Sequence, residues 1–266
     1  MGAVIVIISG ILLLASTASF IPQYNRIICR KTHTGIAPYY LLLNLIVATE
    51  QFALGLHFFV DNNETMDDIV HSPPTFGDWL NIAQFSVIWL CHLILFGFYL
   101  YYPPATRTTK SVTTAIYISF FLISVVPVIY ESTLPPTGAS LADPRWIIAI
   151  FFITHTFFIN HVITVLAVVA LFPQRREILS RLAPCALSTT SLAAQAVIFA
   201  LVALAWTIRL SLPWSISIVS WYRYLLVGWA AVDNLIFAAV QTVLYWTLRG
   251  LEVEGNTSNE TTPLVR

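Results

Sequence analysis

The sequence predicts an all-α polytopic membrane protein. Its seven transmembrane helices are expected to form two parallel triple-helix bundles joined by a linker helix, a 3+1+3 plan. Three observations predict this. The 266-residue chain is 58% hydrophobic and 10% charged, with mean hydropathy +0.78, whereas ordinary soluble domains carry about 25% charged residues. The apolar residues fall in seven long runs with few charges, and about 20 such residues cross a bilayer. A short motif near the end of the first run recurs near the end of the fifth.

The runs cover approximately 3–24, 36–60, 79–101, 112–130, 146–171, 184–208 and 224–248. Span 1, "AVIVIISGILLLASTA", lacks the basic n-region of a signal peptide, and its apolar character continues through "SFIPQY". It therefore reads as a retained helix. Pro22 near its end removes a backbone donor and clashes with the carbonyl of Ala18, which predicts a kink. Gln23 beside it offers two donors and an acceptor for local bonding. In span 2, Tyr40, Asn44 and Gln51 share a face at spacings of four and seven, and Glu50 lies at mid-depth. Span 3 opens "DWLNIAQ", with Asp78, Asn81 and Gln84 at threefold spacing and His92 deeper. Span 4 falls between the two copies of the motif and reads as the inverting linker. Span 5 holds His155, Asn160 and His161 and leads into Pro173-Gln174. Span 6 holds Gln195, and span 7 holds Asp233, Asn234 and Gln241.

Charge sets the orientation. Arg26, Arg30 and Lys31 follow span 1, Arg107 and Lys110 follow span 3, and Arg175, Arg176 and Arg181 follow span 5. The other loops are acidic or nearly neutral. An excess of Lys and Arg marks the cytoplasmic side, so the N-terminus is expected to be lumenal and the C-terminus cytosolic. The 13 basic and 13 acidic residues cancel, and no basic patch points to nucleic acid. Cys29, Cys91 and Cys185 show no metal-ligand spacing and read as small apolar fillers. Of the three sequons, Asn63 lies in a lumenal loop, and Asn256 and Asn259 lie in the cytosolic tail, where this topology leaves them unglycosylated.

The recurring motif is "FIPQYNRIICRKTHTGIAPYYLLLN" against "FPQRREILSRLAPCALSTTSLAAQA". Pro173-Gln174 follows Pro22-Gln23 by 151 residues. At that offset Gly35 faces Ala186, and Asn44 faces Gln195. Both copies read proline-glutamine, basic loop, small residue, apolar helix with a buried amide. The expected organisation is a first bundle over 1–104, linker helix and flanks over 105–145, a second bundle over 146–250 and a disordered tail over 251–266. Two kinks at corresponding places suggest a pair of hinges, at Pro22, Gln23, Pro173 and Gln174. Parallel repeats of this kind are one way to build a transporter.

These residues resemble the PQ-loop repeat family of seven-helix membrane transporters, whose members carry cystine, basic amino acids or sugars. The resemblance is tight over about 25 residues of the first copy and looser in the second, where "LSRLAPCALS" replaces "KTHTG". It implies a substrate cavity between the two bundles, and no fixed substrate.

Polar residues at membrane depth are costly and usually face the bundle interior. The amides read either as interhelical glue or as solute ligands, and the ligand set is Asn44, Gln195, Asn234, Asn81 and Asn160, with Tyr40. A carboxylate costs about 2.5–3.5 kcal/mol at a helix centre, so Glu50 and Asp233 read as functional. Asp233 is the first choice for proton coupling, because an acid in the last helix also resembles the family's proton-coupled members. Both acids have a structural alternative, a pair with Arg223 or with a histidine. The tail segment "ETTPLV" resembles an acidic dileucine sorting signal with Val265 at the usual Leu or Ile position. It favours a vacuolar or lysosomal membrane and a sorting adaptor as partner. There is no nucleotide-binding loop, nucleophile elbow or metal-ligand cluster, so neither an enzyme nor a cofactor is expected. The function expected is a secondary carrier of a small polar solute, amino acid-like and proton-coupled, from an acidic lumen to the cytosol. The alternatives are a proton-independent sugar facilitator and a non-transporting receptor or trafficking protein of the same fold.

Overall fold

The computed structural model describes residues 3–60, 70–71, 73–133, 145–180, 186–209 and 228–260. Among them seven helices are long and apolar enough to cross a membrane, and there is no strand. We number these α1 (Ala3–Arg30), α2 (Pro38–Val60), α3 (Phe76–Tyr101), α4 (Arg107–Ser132), α5 (Trp146–Leu179), α6 (Thr189–Arg209) and α7 (Trp229–Glu252). Asn63, Arg181, Cys185, Arg223 and Thr261–Arg266 lie outside the described residues, as do the side chains of Asn256 and Asn259.

The helices outrun the apolar runs. α1 continues past residue 24 to Arg30, and α5 continues past residue 171 to Leu179. Backbone hydrogen bonding does not stop where the apolar run stops, and cations suit the carbonyl end of a helix. The helical backbone of α7 likewise runs on to Glu260.

The two prolines act differently on their helices. α1 stays α-helical through Pro22. α5 is interrupted: an α-helical segment ends at Val169, Ala170 is a turn, and a new segment opens at Leu171. Val169 is the residue whose carbonyl the Pro173 ring would strike, four positions back. Further up, α5 contains a π-turn, His155–Ile159. In an α-helix residues five apart diverge by about 140°. The wider π-turn, in which the Asn160 N–H donates to the His155 carbonyl, brings His155 and Asn160 onto one buried face.

α3 packs against both α1 and α2, and α7 packs against both α5 and α6. Across the molecule α1 packs on α6 and α2 on α5, while α4 lies against α2. α2 is the most enclosed of the seven. Residues such as Ile7, Ile11 and Leu14 on α1 and Val162 and Val165 on α5 point outward, where lipid tails suit them. Gly55 lets α2 and α3 meet closely: a Cβ there would lie 2.6 Å from a Phe85 ring carbon.

Candidate functional site

The glutamines of the two motifs do not bond locally, which corrects the expectation for Gln23. Its Nε2 donates to the Ala186 carbonyl at 2.9 Å, and its Oε1 accepts from the Ser188 N–H at 2.8 Å. Gln174 does the same in the opposite direction. Its Nε2 donates to the Gly35 carbonyl at 2.8 Å, and its Oε1 accepts from the Ala37 N–H at 2.9 Å. Ala186 and Ser188 follow Gly35 and Ala37 by the same 151 residues that separate the motifs. Each motif therefore grips the chain just before the second helix of the other copy. Gly35 holds φ at 88°, a left-handed conformation that favours glycine. The Ala186 N–H donates to the Thr34 carbonyl at 2.7 Å, and Ser191 Oγ donates to the Ser19 carbonyl at 2.6 Å. All of this lies at the end of the bundle that carries the basic loops.

Two buried acids occupy the interior. Glu50 of α2 meets His155 of α5, with Nδ1 at 2.8 and 3.0 Å from the two carboxylate oxygens. Phe151 stacks on the imidazole at 4.1 Å. A histidine is one of the two structural partners that the sequence allows; the other, Arg223, lies outside the described residues. Asp233 of α7 is arranged otherwise. It is 1% exposed. Thr164 Oγ1 of α5 donates to Oδ1 at 2.7 Å, and Gln51 Nε2 of α2 donates to Oδ2 at 3.4 Å. Among the described residues it has no cationic partner. Successive α2 residues thus belong to the two sites: Glu50 is one acid, and Gln51 donates to the other.

The other candidates divide. Tyr40 pairs its hydroxyl with the Gln241 side-chain amide at 2.9–3.1 Å, linking α2 to α7. Asn44 donates to the Tyr40 carbonyl and Asn234 to the Ala230 carbonyl, each one turn back, so their amide N–H groups serve their own helices. Gln195 is buried in α6. Asn160 is 1% exposed, and neither side-chain polar atom has a partner among the described residues. Asn81 stands apart from these, in the wall of a cavity of about 40 Å³ at the end of the bundle opposite the motif glutamines. Phe58, Phe85, Trp206 and Trp229 are the aromatic part of that wall, with Phe59. Near the same end His57 of α2 meets Glu131 of α4 at 3.0 Å. Thr164 escapes a reading of the sequence, since a lone threonine in an apolar run carries no signal.

Removing one motif glutamine should loosen the end it holds. Gln23→Ala strips partners from a buried carbonyl and a buried N–H, and each costs about 1–3 kcal/mol when unsatisfied. With the native cysteines replaced, a cysteine introduced at Ser188 should react slowly with a water-soluble maleimide in the otherwise native chain. It should react several-fold faster with Gln23→Ala. Equal rates would mean that the glutamine does not hold this end shut.

These features define a multi-pass α-helical membrane protein built on a repeated helix–loop–helix grip. Residues 4–50 match the family model for the PQ loop repeat, the family that the sequence resembles. No curated protein and no solved structure matches the chain.

Proposed function

We propose that the chain is a secondary carrier of a small polar, amino acid-like solute, coupled to protons and working by alternating access between two triple-helix bundles. The observation that carries this reading is Asp233. A buried carboxylate with two neutral donors and no cationic partner among the described residues is left to be neutralised by a proton or by a cationic group of the solute. Glu50, by contrast, already has His155 and serves to hold α2 against α5. The packing of α3 between α1 and α2, and of α7 between α5 and α6, supports the two-bundle plan. The reciprocal glutamines shut the basic-loop end, while the cavity lies at the other end. This arrangement suits a state closed toward the cytosol. Asn160, with both amide atoms unpartnered among the described residues, joins Asp233 as a solute ligand. The membrane is that of an acidic organelle, vacuolar or lysosomal, with the N-terminus lumenal.

A sugar facilitator is the second reading, favoured by the aromatic wall of Phe58, Phe85, Trp206 and Trp229. A solute-uptake screen in reconstituted vesicles, with and without an imposed pH gradient, separates the two. Saturable uptake of an amino acid that rises with the gradient supports the carrier proposed here. Gradient-independent sugar uptake favours the facilitator, and the absence of any flux removes both.

Topology is tested independently. A C-terminal tag should be cut by protease only from the cytosolic side. Glycosylation of Asn256 or Asn259 in the native protein would show the orientation to be the reverse of the one proposed.

A further inference from the structure

We propose that the groove between the end of α3 and the start of α4 is a binding site for an anionic phospholipid, whose phosphate is held by Arg107 and Lys110 and whose acyl chain runs down α4. The site is independent of what the chain carries. α4 lies against α2, and where it passes Leu100 of α3 a groove of about 460 Å³ stays open. Pockets of roughly 300–1,000 Å³ hold small ligands, so a phosphate with its glycerol fits. The α4 residues of the groove fall at helical spacings of three and four, along one face. Arg107 and Lys110 come first, then the hydroxyls of Ser111 and Thr114, then Ala115 and Ile118. Ile118 lies about 16 Å along the helix from Arg107, roughly the depth of one leaflet of hydrocarbon. Charge, hydroxyl and hydrocarbon thus follow one another in the order of a phospholipid's own phosphate, glycerol and tail.

The polar groups here have bonding capacity to spare. Lys110 Nζ donates to the Leu100 carbonyl at 2.7 Å and to the Tyr102 carbonyl at 3.0 Å. Those bonds fix the ammonium at the rim of the groove and leave one of its three donors over. Two carbonyls do not neutralise it, and no carboxylate lines the groove. Arg107 is exposed, and its guanidinium has no ion pair or hydrogen bond among the described residues. The Ser111 and Thr114 hydroxyls also bond to nothing among the described residues, whereas Thr113 between them donates to the Thr109 and Lys110 carbonyls. The groove sits at headgroup level. Tyr101, which follows Leu100 at the end of α3, is 79% exposed, and tyrosines concentrate at membrane interfaces. Thr32 and His33, just beyond the basic end of α1, both donate to the Pro103 carbonyl in the turn between α3 and α4. On the proposed orientation this is the cytoplasmic leaflet, the one that carries anionic lipid.

The test is native mass spectrometry of the purified, delipidated full chain in detergent micelles, titrated with phosphatidylglycerol or with phosphatidylcholine of the same acyl chains. The first adduct should form about tenfold or more tightly with phosphatidylglycerol, since each basic side chain near an anionic headgroup contributes about fivefold. Arg107→Gln should cut that preference about fivefold. Arg175→Gln, which removes an exposed cation from the same end but outside the groove, should leave it unchanged. Ser111→Ala with Thr114→Val should weaken both lipids alike, because both carry the phosphate. Equal affinity for the two lipids in the wild type would overturn the proposal, as would an undiminished preference in Arg107→Gln. An equal loss in Arg175→Gln would also overturn it, since a diffuse field would then replace a site. Displacement of the lipid by millimolar inorganic phosphate would do the same, by making the groove a site for a free anion.

Discussion

Asp233→Asn is expected to abolish accumulation driven by a pH gradient while sparing some solute exchange at equal pH. The substitution keeps the shape of the side chain and removes its capacity to change charge. Thr164 can still donate to the amide oxygen, which replaces the carboxylate oxygen it meets at 2.7 Å. The amide fixes the site in its neutral form, the form that crosses the closed state at lower cost in a medium that penalises charge. In the wild type a proton loaded at lumenal acidity would neutralise the acid, and release toward the cytosol would restore it. The measurement is counterflow at equal pH beside concentrative uptake under an imposed gradient, in the same vesicles. If Asp233→Asn still accumulates solute against its gradient, the coupling assignment fails and the facilitator moves ahead. Glu50→Gln should have the weaker effect on coupling, because Glu50 is committed to His155.

The second large effect concerns folding rather than transport. His155→Ala should cost about 3–5 kcal/mol of stability, since it strands a fully buried Glu50 without its partner. Replacing both members together, as Glu50→Gln with His155→Ala, should cost less than His155→Ala alone, because no carboxylate is then left buried without its partner. Thermal unfolding of the purified protein, followed as loss of the monodisperse peak, would give the four corners of the cycle. Single and double variants of equal stability would show that the pair does not carry this load. Phe151, stacked on the imidazole at 4.1 Å, should then be the residue that orders His155.

Much of this is legible in the sequence because bilayers impose a coarse code. Seven apolar runs become seven helices, since length and charge depletion are what spanning requires. Glu50 and Asp233 stand out for the same reason: few acids are tolerated there. Direction is harder. Gln23 reads in sequence as a neighbour for the backbone that Pro22 disturbs, yet its partners lie 163 and 165 residues away. The 151-residue offset contains the clue, since it aligns Gly35 with Ala186, but a repeat in sequence does not say whether the copies bond within themselves or across. The π-turn at His155–Ile159 leaves no sequence signal; it opens at the histidine that meets Glu50. Asn81 groups with the interior amides by its spacing. Depth separates it, since it lies one turn into α3 at the cavity end. Arg209, just past the sixth apolar run, carries no signal in the sequence, and only the structure shows it as a buried cation beside Trp206.

The exchanged glutamines bear on how such a chain arose and how it can be cut. Neither half contains the partners of its own glutamine. Expressed by itself, a half would carry a side-chain amide and a helix-opening loop both orphaned in the bilayer, and the nearest remedy would be a second identical copy. The geometry is therefore that of a symmetric dimer interface written into one polypeptide. The connecting segment turns what would be a bimolecular encounter into an intramolecular one, at an effective concentration on the order of millimolar for a short tether. Once joined, the two halves are free to diverge everywhere except at the handshake. That fits the sequence: the third helices show no visible likeness, while both copies carry a proline-glutamine pair, Pro22-Gln23 and Pro173-Gln174.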